Sequence, residues 1–468
     1  MAIFLWILAG WLRTRGLATA TVLSDQMGPW WVAVEGPPWL EPHAPPYGWG
    51  LYWPYWLLLG PAENLWTAVT GLLWMHALLA PIAFATAWMY ADSGNRWIGS
   101  VLIGLAVAME PGLIDTALSG SKTYLAVIWV GFMVLGLVAR RRRWGPILAS
   151  VAFAMAVMNH PLSVCTAPMF LCLSLGQRRV QMALLLAVLL LLPSGYWLAT
   201  HSIPGTGELQ ASVGSALFHL WETSPWSTCL ALGGVVLGFG LGSGGDRRLV
   251  FGVMISGLLL ALVGYLLGYV RDYHFRLLIL PALLGWVRLS GPWPLLGVLF
   301  LRIPVHPIEQ PSRAVQPGSL GLAHMFTNHV EELSDSRVVI DRAWIGASPA
   351  AEPSAITLDL WLRGRPVDGF GPGGTVILIV SAERGEGQLD GEIDDAIAAW
   401  PNPPLLIGDR YFLARGQLDE VRAWSADICQ SRGERGLSSP RLGGAWDGLI
   451  VLQPQLTSET LMAWWDCP

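Results

Sequence analysis

The chain has 468 residues, of which 53% are hydrophobic and only 13% charged, with a mean hydropathy of +0.49 and a formal net charge of −5. That composition lies outside the range of ordinary soluble domains and predicts a chain that satisfies its backbone in lipid. No basic stripe of the kind nucleic-acid binding needs is present, and five cysteines without CxxC or Cys/His spacing argue against a zinc site or a disulfide-rich scaffold.

Charge divides the chain in two. Residues 1–303 hold 11 of the 33 acidic residues and 16 of the 28 basic ones, so a mildly positive apolar part precedes an acidic tail. The expected fold class is an α-helical polytopic membrane protein, with about ten or eleven transmembrane segments in 1–303. A Pro-rich linker at 304–318 then leads to a soluble α/β domain at 319–468, expected on the non-cytoplasmic side.

In chain order, residues 1–20 read as a short first span. They lack the basic n-region and small-residue cleavage site of a signal peptide. Residues 21–50 form a loop dense in Trp, Tyr and Pro, mostly an interfacial aromatic belt, which also carries Asp25, Glu35, Glu41 and His43. Apolar runs recur at 65–90, 97–114, 121–139, 180–199, 226–243, 248–270 and 273–289, with shorter or broken ones at 144–158, 162–175 and 290–303.

Cys165, Cys172 and Cys229 sit in apolar segments as small packing residues. The tail offers strand-like RVVIDRAWI, AITLDLWL, TVILIVSA, PLLIGD and GLIVLQ, and helix-like DGEIDDAIAAW and LDEVRAWSADIC. Its Cys429 and Cys467 are a candidate disulfide if the tail is outside the cytoplasm.

Orientation follows from Arg140, Arg141, Arg142 and Arg143, which the positive-inside rule keeps cytoplasmic. Arg96, Arg178, Arg179, Arg247 and Arg248 fall on the same side if 144–175 is a hairpin of two half-helices broken at His160 and Pro161. The outer side then receives loops 21–50, 115–122, 200–225 and 271–276, and also the tail, provided that 290–303 crosses.

Unusual chemistry collects on that outer side. Asp25 is placed to act as general base toward an acceptor hydroxyl or to hold a divalent cation, Mg or Mn; the plain alternative is a helix cap beside Ser24. Arg271, His274 and Arg276 head an apolar segment where positive charge runs against the inside rule. They suit a lipid phosphate headgroup, or else snorkel to phospholipids. Lys122, the chain's single lysine, is either a second phosphate contact or an interfacial anchor. Glu110, before Pro111 and nearer the bilayer interior, needs a basic partner that the sequence does not name. His160 in the NHP run reads as a hydrogen-bonded core residue at a helix break.

The order of these motifs resembles the GT-C class of membrane glycosyltransferases, of the mannosyltransferase or aminoarabinose-transferase type. The first span ends at Arg13 and Arg15 and is followed by SDQ and PPYGWGLYWPYWLLLGP. AMEPGLIDTALSGSKTYLAVIWVGFMVLGLVARRRRW is similar to the third and fourth spans of such enzymes, MNHPLSV to the broken helix pair after them, and RDYHFRLLILPALLG to the late helix whose arginines contact donor phosphate.

The resemblance covers about residues 1–303. It implies transfer of a sugar from a polyprenyl-phosphate-linked donor to an acceptor on the outer face of the inner (plasma) membrane. Asp25 would be the first-loop acid and Arg271 and Arg276 the phosphate contacts. Many members pair their first-loop acids, whereas Gln26 follows Asp25 here, so Glu35 or Glu41 would supply any second carboxylate. The competing expectation is a non-catalytic membrane subunit or scaffold of a cell-envelope polysaccharide assembly system.

Overall fold

A computed structural model describes residues 1–15, 17, 49–91, 96–118, 122–174, 178–200, 213–267, 272–289 and 293–301 of the first part of the chain. Beyond these it describes 359, 362, 376–381, 405–407, 411–416, 448–452 and 462–465. Asp25, Glu35, Glu41, His43, Arg271, Cys429, Cys467, the 304–318 linker and both helix-like runs of the tail lie outside the described residues. Two compact units are resolved: Met1–Leu17, Pro29–Pro61 and Val69–Glu309 in one, and Ala18–Gly28, Ala62–Ala68 and Gln310–Pro468 in the other.

The first unit is helical. Its helices are α1 (Ala2–Thr14), α2 (Trp49–Leu59), α3 (Leu65–His76), α4 (Leu79–Tyr90), α5 (Arg96–Met109), α6 (Pro111–Leu118), α7 (Lys122–Val138) and α8 (Trp144–Asn159). After a 3-10 turn at Pro161–Thr166 come α9 (Ala167–Ser174), α10 (Arg178–Thr200), α11 (Val213–Thr223), α12 (Pro225–Leu241), α13 (Gly244–Leu267), α14 (Asp272–Phe275) and α15 (Ile279–Leu283).

Two helical stretches among the described residues, Leu65–Tyr90 and Gly244–Leu266, are long and apolar enough to cross a membrane. The number rises to four if the bent pairs α5–α6 and α11–α12 each count as one span. These stretches mark the chain as a membrane protein, with two to four candidate spans among the described residues where ten or eleven segments, some short or broken, were expected along the chain.

Three of the breaks follow local chemistry, at Glu110–Pro111, His160–Pro161 and Ser224–Pro225. Proline has no N–H, and it disfavours the helical conformation of the residue before it. Ala2–Thr14, Thr123–Val138, Trp144–Asn159 and Pro161–Leu173 remain as shorter apolar helices. The expected run 273–289 is likewise a chain of short pieces, α14, a 3-10 turn at Arg276–Leu278, α15 and a second 3-10 turn at Leu284–Arg288, with Pro281 in its middle.

Small residues let these helices approach one another, as is usual where lipid removes the hydrophobic drive for association. Leu5 and Ala9 of α1 pack on Ala77, Ala80 and Ala108, flanked by Trp6 and Phe84. α12 meets the 284–288 turn most closely: a Cβ on Gly285 would lie 1.8 Å from the Gly234 carbonyl oxygen, so no larger residue fits there. The Trp286 indole N–H then fastens the two by donating to the Leu230 carbonyl at 2.7 Å. α7 and α8 run against one another along much of their length, and α8 also packs on α10. Cys165, Cys172 and Cys229 are free thiols within this packing.

In the second unit the described strands are β1 (Val376–Ser381), β2 (Leu405–Ile407), β3 (Tyr411–Gly416), β4 (Gly448–Leu452) and β5 (Met462–Trp465). They form one antiparallel sheet in the order β2-β3-β1-β4-β5, with Ile379 at the centre opposite Leu413 on one side and Ile450 on the other. Three of the expected strand runs, TVILIVSA, PLLIGD and GLIVLQ, coincide with β1, β2 and β4. AITLDLWL does not give a strand at Asp359 and Leu362, which are helical, and RVVIDRAWI lies outside the described residues.

Candidate functional site

Three helix breaks in the first unit share one feature: each falls at a polar residue followed by proline. They are Glu110–Pro111 between α5 and α6, His160–Pro161 after α8, and Ser224–Pro225 before α12. His160 is extended (φ −148°, ψ 114°), as the residue before proline prefers, and Ser224 leaves the helical region (φ −144°, ψ 53°). The α5–α6 break bends the chain by 43°. All three residues are buried, and they converge on the short segment that carries His274 and Arg276.

Arg276 is the centre of the cluster. Its Nη1 donates to both Glu110 carboxylate oxygens, at 2.9 and 3.0 Å, and reaches Ser224 Oγ at 3.4 Å. The two side chains are 2% and 1% exposed, so neither charge is hydrated. The Ser227 hydroxyl donates to Glu110 Oε1 at 2.9 Å, and the Leu113 backbone N–H donates to Oε2. Glu110 therefore does two jobs: it neutralises Arg276 and it caps the first turn of α6, where Pro111 leaves no donor of its own.

Gly112 makes room for this arrangement. A Cβ there would lie 1.8 Å from the Arg276 guanidinium carbon, inside any contact distance. Only a residue without a side chain lets the guanidinium lie flat on this turn.

His274 is fully buried beside His160, with ring centroids 4.9 Å apart. A second arginine, Arg13, enters from α1 and is also fully buried. Its Nη1 donates to the carbonyls of Ala9 at 2.9 Å and Ala108 at 3.3 Å, and its Nη2 donates to the Tyr124 hydroxyl at 2.6 Å. Ala108 belongs to the last turn of α5, whose carbonyls lose their helical donors at the Pro111 break; Arg13 supplies one. His76 stacks on the Tyr124 ring at 4.2 Å, with neither imidazole nitrogen hydrogen-bonded.

The expected site residues are thus distributed as follows. Arg276 and His274 lie in this cluster; Lys122 opens α7, two residues before Tyr124; Asp25, Glu35 and Arg271 lie outside the described residues. Sequence reasoning named Glu110 as needing a basic partner, and Arg276 is that partner. It missed Arg13, His76, Tyr124, Ser224 and Ser227. The one signal that pointed toward Ser224 is its place before a proline, shared with Glu110 and His160.

No three His, Cys, Asp or Glu side chains gather into a metal-holding group among the described residues. Both Glu110 oxygens accept hydrogen bonds, and Asp25, the expected holder of a divalent cation, lies outside the described residues.

At the opposite end of α8 a second polar cluster is built. Asp246 accepts from the backbone N–H and the hydroxyl of Ser243, both at 2.7 Å, closing the first turn of α13 as a capping residue. Its other oxygen binds Arg288 at 2.9 Å, and the Arg288 guanidinium lies 4.4 Å from the centre of the Tyr90 ring. Burial pushes the pKa of Arg140 below its usual value against the opposing pull of Asp246. The 16 residues of α8 separate this arginine-rich end from the His160 end by about 24 Å, at ~1.5 Å per residue.

Fold and site together define a helical membrane protein with a buried ionic cluster at converging helix breaks. No protein-family model, curated protein or solved structure matches the chain.

Proposed function

We propose that this protein is a membrane glycosyltransferase that moves a sugar from a polyprenyl-phosphate-linked donor to an acceptor on the non-cytoplasmic face. The observation that supports this best is the meeting of Glu110, Arg276, His160 and His274 at the ends of broken helices. Ionisable groups at such depth are expensive and mark substrate or ion pathways in membrane proteins. Broken helices are tolerated there only where backbone is buried in protein or lines a cavity. The positive-inside rule, applied to Arg140–Arg143, assigns this end of the bundle to the outer leaflet.

In this reading Arg276 is a positioning residue, since its guanidinium is engaged by Glu110. It anchors the segment on which Arg271 and His274 sit, and Arg271 with Lys122 supplies positive charge to the donor phosphate. Transfer forms a bond from the acceptor oxygen to the anomeric carbon as the bond from that carbon to the phosphate oxygen breaks. The proton passes to Asp25, with Glu35 as a second carboxylate, and the departing phosphate takes the negative charge.

A second reading, a non-catalytic subunit of a cell-envelope polysaccharide assembly, is favoured by the same buried pairing of Arg276 Nη1 with Glu110, because a buried ion pair is what a purely structural cluster needs. One experiment separates the two. The full chain is purified, its bound lipids are identified by mass spectrometry, and it is reconstituted in liposomes with a panel of radiolabelled polyprenyl-phosphate hexoses and pentoses. Co-purified polyprenyl phosphate and turnover that disappears in Asp25→Asn support transfer. Absence of both, with Asp25→Asn indistinguishable from the parent in envelope assembly, supports the subunit.

A further inference from the structure

We infer that the arginine-rich end of the bundle carries a binding site for one anionic glycerophospholipid of the cytoplasmic leaflet, built between α8 and α10. A cavity of about 680 Å³ opens there, with Arg143, Arg178 and Arg179 at one end. Its walls are hydrocarbon: Ile147 from α8, and Met182, Leu186 and Leu189 from α10. These side chains are 37% to 65% exposed, so they leave a groove that acyl chain fills.

The floor is fixed. The Ser150 hydroxyl of α8 shares its one proton between the Ala183 carbonyl of α10 at 2.6 Å and the Pro146 carbonyl of its own helix at 2.9 Å, which sets the spacing of the two helices. The groove is therefore a preformed surface feature.

Its polarity matches a phospholipid and fits neither a neutral lipid nor a soluble anion. α8 begins at Trp144 and α10 at Arg178, so the positive ends of two helix dipoles point toward the same end as the three guanidinium groups. None of the three arginines is paired with a carboxylate among the described residues. A soluble phosphate would use the charge and leave the apolar walls uncovered; a zwitterionic or neutral lipid would use the walls and leave the arginines unmatched. An anionic headgroup with attached acyl chains uses both, and basic pockets between transmembrane helices on this side of a membrane suit such headgroups. The inference rests on the membrane orientation and is independent of sugar transfer.

The test is lipid retention by the full chain. The protein is placed in nanodiscs of phosphatidylcholine doped with phosphatidylglycerol, released into mild detergent, and weighed by native mass spectrometry as phosphatidylglycerol is titrated back. The parent should keep one phosphatidylglycerol in preference to phosphatidylcholine. The triple variant R143Q/R178Q/R179Q should bind it about 100-fold more weakly, with single variants each losing roughly 5-fold.

All three arginines are exposed, so an unchanged gel-filtration profile checks folding. A second variant, Leu186→Trp, fills the groove while keeping every charge and should also lose the lipid. Equal retention of phosphatidylcholine, an unaffected triple variant, or displacement of the lipid by millimolar inorganic phosphate alone would each overturn the proposal.

Discussion

Glu110 and Arg276, 166 residues apart in the chain, meet inside the helical bundle with one guanidinium nitrogen bridging both carboxylate oxygens at 2.9 and 3.0 Å. The pair joins a break between two helices to a segment that is itself broken into short turns. Glu110 also accepts from the Leu113 backbone N–H and so closes the first turn of α6 after Pro111.

Removing one partner leaves the other charge buried and uncompensated, which costs about 3–5 kcal/mol. Arg276→Ala and Glu110→Gln are each expected to lower the thermal unfolding temperature of the purified protein sharply. The double variant Glu110→Gln/Arg276→Met should recover most of that loss, because neither residue then carries a charge. A double variant as unstable as the sum of the singles would show that the two side chains act separately.

Gly112 should be energetically coupled to Arg276. Gly112→Ala drives a methyl group into the guanidinium and is expected to cost about 2 kcal/mol or more in the parent. In an Arg276→Ala background the space is empty, and the same substitution should cost less than half as much. A double-mutant cycle on unfolding free energies reads this directly, and strict additivity would rule the contact out.

Tyr124→Phe deletes the acceptor that Arg13 Nη2 reaches at 2.6 Å while keeping the ring stacked on His76. The cost should be about 1–3 kcal/mol, the range for stranding a buried polar partner. Arg13→Met in the Tyr124→Phe background removes the stranded donor and should restore part of it. Stability unchanged by Tyr124→Phe would mean that Arg13 finds full satisfaction from the Ala9 and Ala108 carbonyls.

Arg271 and Arg276 are expected to part company in function. Arg271→Ala should abolish sugar transfer in liposomes with an unchanged unfolding temperature, whereas Arg276→Ala should lose both together. An Arg271→Ala variant that keeps full turnover would remove that residue from any phosphate-binding role.

Much of the architecture was legible along the chain. The hairpin broken at His160 and Pro161 is there because the residue before a proline leaves the helical region, a rule of nearest neighbours. Three strands of the tail followed from short β-branched runs. The expected apolar runs 97–114 and 273–289 are each broken among the described residues, because hydropathy averages over a window and does not register a local break such as that at Glu110–Pro111.

By itself the sequence determined that the chain enters a membrane, that a helix breaks at His160 and Pro161, and that Glu110 needed a positive partner. Only the tertiary structure decided which one. Arg13, Arg271, Arg276 and Arg288 are equivalent as letters. Glu110 pairs with Arg276 because the Glu110 and Ser224 breaks and the bare backbone of Gly112 leave one guanidinium-sized space between them. Burial then makes the loss of either charge too costly for the pair to come apart.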